Sequence, residues 1–311
     1  MLRYIVLRLL GAVPTVLLVL TLVFLAMRLL PGDPAVAVLG ENAGPQQIAA
    51  MRERLGLNDP LWLQYLYFVG DLVRLDLGRS LANNVPITQL FAEHLPYTLE
   101  LAAGALVVGS LIGIPLGVVA AVRKGGVADH GSRVMALAGL SMPEFFLGFL
   151  LLLGFGLHLK WFPLMGAGTG AAGQLYHLVL PALTLGIIKA GFITRLTRSA
   201  MLDVLARDYI RTAEGKGLER RAVLFRHALR NALIPVVTAL GVSMLATLAG
   251  TISLELVFSR PGIGRLLVGA ISARDYPLIQ AGLVVFSLMV VIVNLIVDLL
   301  CACIDPRIEL R

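Results

Sequence analysis

The sequence predicts an all-α membrane protein: six transmembrane helices, both termini cytoplasmic, a small extracytoplasmic cap, and a compact basic helical knob on the cytoplasmic side. Three observations carry that prediction. The 311 residues are 58% hydrophobic and only 14% charged, with a mean hydropathy of +0.87, far greasier than a soluble globular domain. Six stretches approach the roughly 20 apolar residues a helix needs to cross a bilayer: Leu9–Leu29, Tyr97–Val122, Val134–Leu157, Leu178–Leu196, Ala232–Leu254 and Ile279–Leu300. Finally, 16 of the 26 Lys and Arg residues fall in segments that this alternation places on one side: Arg3 and Arg8; Arg123, Lys124 and Arg133; nine in the central loop; and Arg307 and Arg311. The positive-inside rule makes that side the cytoplasm. Topology thus accounts for the net charge of +7 without a nucleic-acid partner.

Taken in order, residues 1–30 form the first span. Basic residues ahead of an apolar run, with Ala35-Val-Ala37 beyond it, raise the possibility of a cleaved signal peptide. The run from Leu9 to Met27 is longer than the 7–15 residues typical of a signal core, which favours a retained helix. Pro31-Gly-Asp-Pro34 stops it by removing backbone donors and fixing φ. Residues 31–96 are the extracytoplasmic segment, helical near Gln46–Leu55 and Leu61–Leu75 and too small for an independent enzyme. The second span carries Gly109, Gly113 and Gly117 at four-residue intervals, a spacing that lets helix backbones approach closely.

A short inner loop, Arg123 to Arg133, leads into the third span and to Ser141-Met-Pro-Glu144. At 1.5 Å per residue, Glu144 lies at a depth of about 15 Å, just past a proline kink. A carboxylate there is costly, and two readings stay open: a site on a translocation path, or a structural carboxylate paired inside the bundle. Lys189, about 9 Å from the inner edge with a long stem, is its natural partner. Ser141, Pro143, Glu144 and Lys189 are therefore path candidates, joined by Asn294 and Asp298, which share a face of the last span at i, i+4. On the outside, Phe258-Ser-Arg-Pro-Gly-Ile-Gly-Arg265 turns the chain and Leu266–Pro277 is short and semi-apolar. Arg260, Pro261, Gly262, Arg274, Asp275 and Tyr276 become candidates for an outer mouth. Cys301 and Cys303, two apart with no Cys or His cluster nearby, read as apolar fillers.

The central loop is the longest polar interruption of the C-terminal half. Arg195, Arg198, Arg207, Arg211, Lys216, Arg220, Arg221, Arg226 and Arg230 stand there against Asp203, Asp208, Glu214 and Glu219. Leu202, Leu205, Tyr209 and Ala213 recur on one helical face, and Leu218, Ala222, Phe225 and Leu229 restart the stripe. Two short amphipathic helices meeting at a Gly215-Lys216-Gly217 corner make a basic knob suited to docking on a protein.

Chemistry is missing. Gly215-Lys216 lacks the earlier glycine and preceding strand of a phosphate-binding loop. There is no His-Glu-x-x-His and no Gly-x-Ser-x-Gly, and His94, His130, His158, His177 and His227 are scattered. The expectation is a non-enzyme that binds no metal or cofactor itself; if ATP drives it, another chain binds the ATP.

With those features in place, the chain closely resembles the permease subunits of ABC importers in the dipeptide/oligopeptide/nickel branch. The resemblance covers nearly the whole length. It rests on Leu30-Pro-Gly-Asp-Pro34, Arg54-Leu-Gly-Leu57, Ser141-Met-Pro143, Asp208-Tyr-Ile-Arg-Thr-Ala213, Lys216-Gly-Leu218, His227-Ala-Leu-Arg-Asn-Ala232 with Pro235, Pro261-Gly-Ile-Gly-Arg265, Arg274-Asp-Tyr-Pro277 and Asp305-Pro-Arg307. It implies the type I importer fold, with residues 97–311 as a five-helix core and 200–231 as the coupling loop. Asp208, Arg211, Thr212, Ala213, Glu214, Gly215, Lys216, Gly217 and Leu218 then form the segment whose short helix sits in a cleft of an ATPase subunit. The chain departs from the general family pattern of an acid-Ala-Ala triplet: counting back from Gly217 gives Arg211-Thr-Ala213, and Glu214 is out of register with the family glutamate.

The resemblance further implies alternating access, two ATPase subunits carrying ATP and Mg, a second related permease subunit, an extracytoplasmic solute-binding protein and a lipid environment. Nickel, glutathione and opine-like solutes compete with peptides as cargo, because the matched features are scaffold and coupling features. A secondary transporter or channel using Glu144 and Lys189 for ions is the alternative from a different class. It would work without ATP.

Overall fold

The computed structural model describes residues 2–29, 34–39, 43–54 and 56–304. Pro31–Asp33, Leu55 and the Asp305-Pro-Arg307 motif lie outside the described residues, as does the side chain of Asp298. Among the described residues every regular element is a helix, and the one β feature is an isolated bridge between Arg79 and Pro86. In chain order these are α1 (Leu2–Leu29), α2 (Pro34–Leu39), α3 (Pro45–Arg54), α4 (Leu61–Val73), α5 (Ile87–Val122) and α6 (Val127–Ser141). Next come α7 (Glu144–Leu151), which continues as a π-helix over Leu152–His158, then α8 (Gly170–Leu205) and α9 (Asp208–Gly215). The short α10 (Arg220–Ala222) runs through a second π-helix, Val223–Leu229, into α11 (Arg230–Val257), followed by α12 (Ile263–Ser272) and α13 (Tyr276–Ile304).

Among the described residues, five helical stretches are long and apolar enough to cross a bilayer: Leu10–Leu29, Ile87–Val122, Gly170–Leu205, Arg220–Val257 and Tyr276–Val297. The remaining expected span, Val134–Leu157, is two helices rather than one. Pro143 clashes with helical backbone at the residue before it, and Met142 accordingly takes φ −91°, ψ 127°. The kink expected there is thus a full break, with α6 on one side and the apolar Glu144–His158 stretch on the other. Large apolar side chains stand exposed along these helices, among them Leu18 and Leu22 on α1 and Val107 and Leu111 on α5. Such surface suits lipid rather than water.

The chain divides into two compact units, Met1–Pro96 with Ile263–Leu295, and Tyr97–Gly262 with Ile296–Arg311. In the first, α4 packs on α1 through Phe24, Tyr65 and Phe68, with ring centroids 5.4 and 5.7 Å from Phe24. Tyr65 OH lies 2.8 Å from Thr21 Oγ1. Arg28 donates to Gln64 at 2.8 Å, and Gln64 in turn donates to the Asp59 carbonyl at 2.7 Å. Asp275 caps α13: its Oδ1 accepts from Leu278 N–H at 3.2 Å, and its Oδ2 from Ser80 Oγ at 2.5 Å and Ala82 N–H at 3.3 Å.

In the second unit α8 is the central helix, packed against α6, α7 and α11. The small residues of α5 also lie along it. A Cβ on Gly113 would stand 2.7 Å from Ile193 Cβ and 2.9 Å from the Ala190 carbonyl oxygen. A Cβ on Gly117 would stand 2.6 Å from Thr197 Cβ and 2.8 Å from the Thr194 carbonyl oxygen. The glycine spacing read from the sequence is therefore a backbone-to-backbone packing seam.

Candidate functional site

Helix α9 is built to show one face and hide the other. Ile210 and Ala213 are buried in a core with Met201, Val223, Ala228, Ala232 and Val236, while Asp208, Arg211, Glu214 and Lys216 are exposed. Arg207, extended at φ −77°, ψ 146°, separates α8 from α9, so the helical face expected to run from Leu202 to Ala213 is interrupted. Tyr209 consequently points out, 44% exposed, and Ile210 takes the core position. The C-terminus closes as a Schellman motif: Gly217 N–H donates to Glu214 O at 2.9 Å, and Leu218 N–H to Ala213 O at 3.4 Å. Gly217 sits at φ +75°, the left-handed conformation that motif demands. Arg211 and Asp208 come within 3.7 Å, but both are exposed and the pair adds little stability.

The second short helix expected after the corner is not a separate element. It leads through the π-helix Val223–Leu229 straight into α11. Because i→i+5 hydrogen bonding changes the angular step, the buried residues are Val223, Ala228 and Ala232 while Phe225 is 60% exposed; Leu218, at the corner before α10, is 44% exposed. Asn231 joins the two sides of the knob, donating from Nδ2 to Tyr209 OH at 3.1 Å and to the His227 carbonyl at 2.8 Å.

The break between α6 and α7 leaves Ser141 and Pro143 exposed and Glu144 half-buried as the first residue of α7. The Glu144 carboxylate lies over Gly250 of α11, where a Cβ would meet it at 2.5 Å. Lys189 of α8 is also half-buried, its stem against Gly109. Each group feels the other's charge, yet among the described residues no direct ion pair within 4.0 Å joins them. Asn294 is exposed on α13.

Past the end of α11, Arg260 is fully buried. Its Nη2 donates to Glu100 Oε2 at 2.7 Å and its guanidinium lies 5.4 Å from the Tyr97 ring centroid, while Nε and Nη1 have no hydrogen-bond partner among the described residues. Burial pulls its pKa down from the ordinary value, against the opposing pull of Glu100, Tyr97 and Glu255. Buried Glu255 accepts from Thr98 Oγ1 at 2.6 Å, and its carboxylate fills the space a side chain would need at Gly262. Pro261 is half-buried beside this cluster. Arg274, at φ 53°, precedes the Asp275 cap, and Tyr276 packs against the Leu20–Met27 core of the first unit.

One further cluster was missed in the sequence. Asp129, buried at the start of α6, accepts from Arg198 at 2.6 and 2.9 Å, from Arg133 at 3.2 and 3.0 Å, and from Gly125 N–H at 3.0 Å. Arg198 lies on α8, three turns before the knob. The Arg198 hydrogen bonds, then the Gly125 N–H, hold the Asp129 carboxyl well below the usual carboxylate range, against the cost of burial. Arg133 at i+4 was a readable local signal. Arg198, 69 residues away, was not.

The arrangement is a set of long apolar helices with buried charges and an exposed, charged helical knob, and comparison with known proteins places it in a family. Residues 113–310 match the family described as "Binding-protein-dependent transport system inner membrane component", and residues 1–102 match its N-terminal companion. The chain is 41% identical over 309 residues to the probable peptide ABC transporter permease protein y4tP of Sinorhizobium fredii, covering 98% of this chain and 99% of that one. It is 42% identical over 311 residues to the glutathione transport system permease protein GsiC of Salmonella choleraesuis and 43% identical to that of Pectobacterium atrosepticum, covering 100% of each chain. Among solved structures, an inward-facing MetNI methionine ABC transporter superimposes with a TM-score of 0.58 at 16% identity, over 70% of this chain and 97% of that one. An amino acid ABC transporter gives 0.51 at 15% identity, over 68% and 93%. The chain therefore belongs to the binding-protein-dependent transport system inner membrane components, and is a multi-pass permease subunit of an ABC transporter in the bacterial inner membrane.

Proposed function

We propose that this chain forms half of the translocation path of an importer for di- or oligopeptides and is driven by separate ATPase subunits through its basic knob. The observation that carries the substrate class is the full-length similarity to permeases named for peptide and glutathione transport, glutathione being itself a short peptide. In this reading both termini and residues 200–231 face the cytoplasm, and residues 31–96 face outward. An extracytoplasmic binding protein delivers the solute, and a second related permease completes the path. ATP and Mg are held by two ATPase subunits, whose closure moves α9.

The geometry of α9 supports the coupling role. Its Ile210 and Ala213 face is anchored in the core around Val223 and Ala232, so a force on the exposed face moves the base of α11 instead of bending a loose loop. Coupling requires the ATPase to engage the knob differently in the two states, since equal binding to both would shift nothing. Nickel and opine-like solutes use the same scaffold in this reading, and glutathione is favoured over them by the similarity to GsiC.

The test is accumulation of radiolabelled dialanine and glutathione in proteoliposomes holding the complete importer. Uptake should need ATP and the binding protein, and should vanish when residues 208–218 are excised. Accumulation by this chain alone, without ATP, would overturn the reading in favour of a secondary transporter or channel.

A further inference from the structure

Two opposite charges at membrane depth are costly unless something compensates them. Glu144 and Lys189 sit on α7 and α8, which pack on each other and on α11, and each is half-buried and within reach of the other's field. A direct ion pair would be the ordinary compensation. None joins them, and neither side chain makes a hydrogen bond among the described residues. The space that Glu144 occupies exists because α11 has Gly250 there, and the break at Met142-Pro143 lets the carboxylate emerge at the start of a helix instead of within one. Interrupted helices in transporters characteristically line the binding position.

We propose that Glu144 and Lys189 read the two ends of a short peptide in the path, Glu144 taking the α-ammonium group and Lys189 the α-carboxylate. An anion and a cation that do not pair with each other are complementary to the two charged ends of a zwitterion such as a short peptide. A single ion of either sign would satisfy only one of the two groups and leave the other uncompensated. The proposal rests on the peptide-importer reading and adds to it the residues that recognise the cargo inside the membrane.

The experiment is equilibrium binding of dialanine, N-acetyl-dialanine and dialanine amide to the assembled permease–ATPase complex without the binding protein, for wild type, Glu144→Gln and Lys189→Gln. Glu144→Gln should weaken dialanine and dialanine amide about tenfold or more and N-acetyl-dialanine less than about twofold, because the acetylated terminus has no charge to lose. Lys189→Gln should do the reverse, weakening dialanine and N-acetyl-dialanine but sparing the amide. Equal losses for free and blocked peptides would make the pair structural and overturn the proposal. So would unchanged affinities, or an absence of saturable binding by the wild-type complex. Failure here with ATP-driven dialanine uptake intact would leave the importer reading standing. Failure of uptake itself would remove both.

Discussion

Replacing Gly217 tests the knob most directly, because the structure separates the local cost from any effect of docking. Gly217 holds φ +75° with no neighbouring atom within 4 Å of where a Cβ would stand, so substitution there strains the backbone but meets no wall. A non-glycine residue in the left-handed conformation costs about 1–2 kcal/mol, and less for Asn or Asp, whose short polar side chains tolerate it. At about 1.4 kcal/mol per tenfold, Gly217→Ala should lower the population of the closed Schellman corner roughly 5- to 30-fold. Gly217→Asn should lower it less. Gly217→Asp matches Asn in shape but adds a negative charge at the C-terminal end of α9, where the helix dipole already disfavours it. Insertion should be unchanged in all three, since no span is touched. The assay is ATP-driven uptake by the complete importer in proteoliposomes, with thermal unfolding of the purified complex as the control. Uptake should fall in the order Gly, Asn, Ala, with Asp well below Asn. Uptake by Gly217→Asp within twofold of wild type would refute the coupling assignment.

Other consequences follow from the packing. At Gly113, Val or Leu would force α5 away from the Ala190 carbonyl and Ile193 of α8, and overpacking of this kind costs about 1–3 kcal/mol. The complex should melt earlier, whereas Gly131→Ala on α6, with nothing within 4 Å, should melt at or above wild type. Asp129→Asn should loosen the clasp to Arg198 and Arg133 at every working pH. The folded pKa of Asp129 is depressed, so the stabilisation is fully present above the unfolded value, about 3.9, and is lost only as pH falls through the still lower folded value. Melting curves should therefore keep a constant gap between wild type and variant from about pH 8 to 5, closing only at more acid pH. Asp275→Ala should remove the α13 cap and leave Ser80 Oγ and Ala82 N–H without their acceptor. A loss of about 2 kcal/mol, read as a lower melting temperature, is the expected outcome, with Asp275→Asn retaining part of it.

Much of the architecture was readable because a bilayer tests each segment separately. Span length, the Gly109, Gly113 and Gly117 seam, the proline at 143 and the Gly217 corner are all local properties of short stretches. Membership of an ABC permease family was legible for the same reason, since its motifs are short and ordered along the chain. Other features lay beyond any local reading. The π-helix over Val223–Leu229 changed the angular step, so the buried set after the knob became Val223, Ala228 and Ala232 in place of the stripe through Leu218, Ala222, Phe225 and Leu229. Hydropathy counts residues but does not record whether hydrogen bonds run to i+4 or i+5. The charged clusters join partners far apart in the chain: Asp129 to Arg198 across 69 residues, Thr98 to Glu255 across 157, Glu100 to Arg260 across 160. Glu144 and Lys189 likewise come from separate helices, and that they feel each other's charge without pairing is a product of packing. Desolvation dictates, residue by residue, where helices must cross and where charge must stay outside. Which buried charge meets which depends on the neighbours each helix acquires, and only the packed chain decides that.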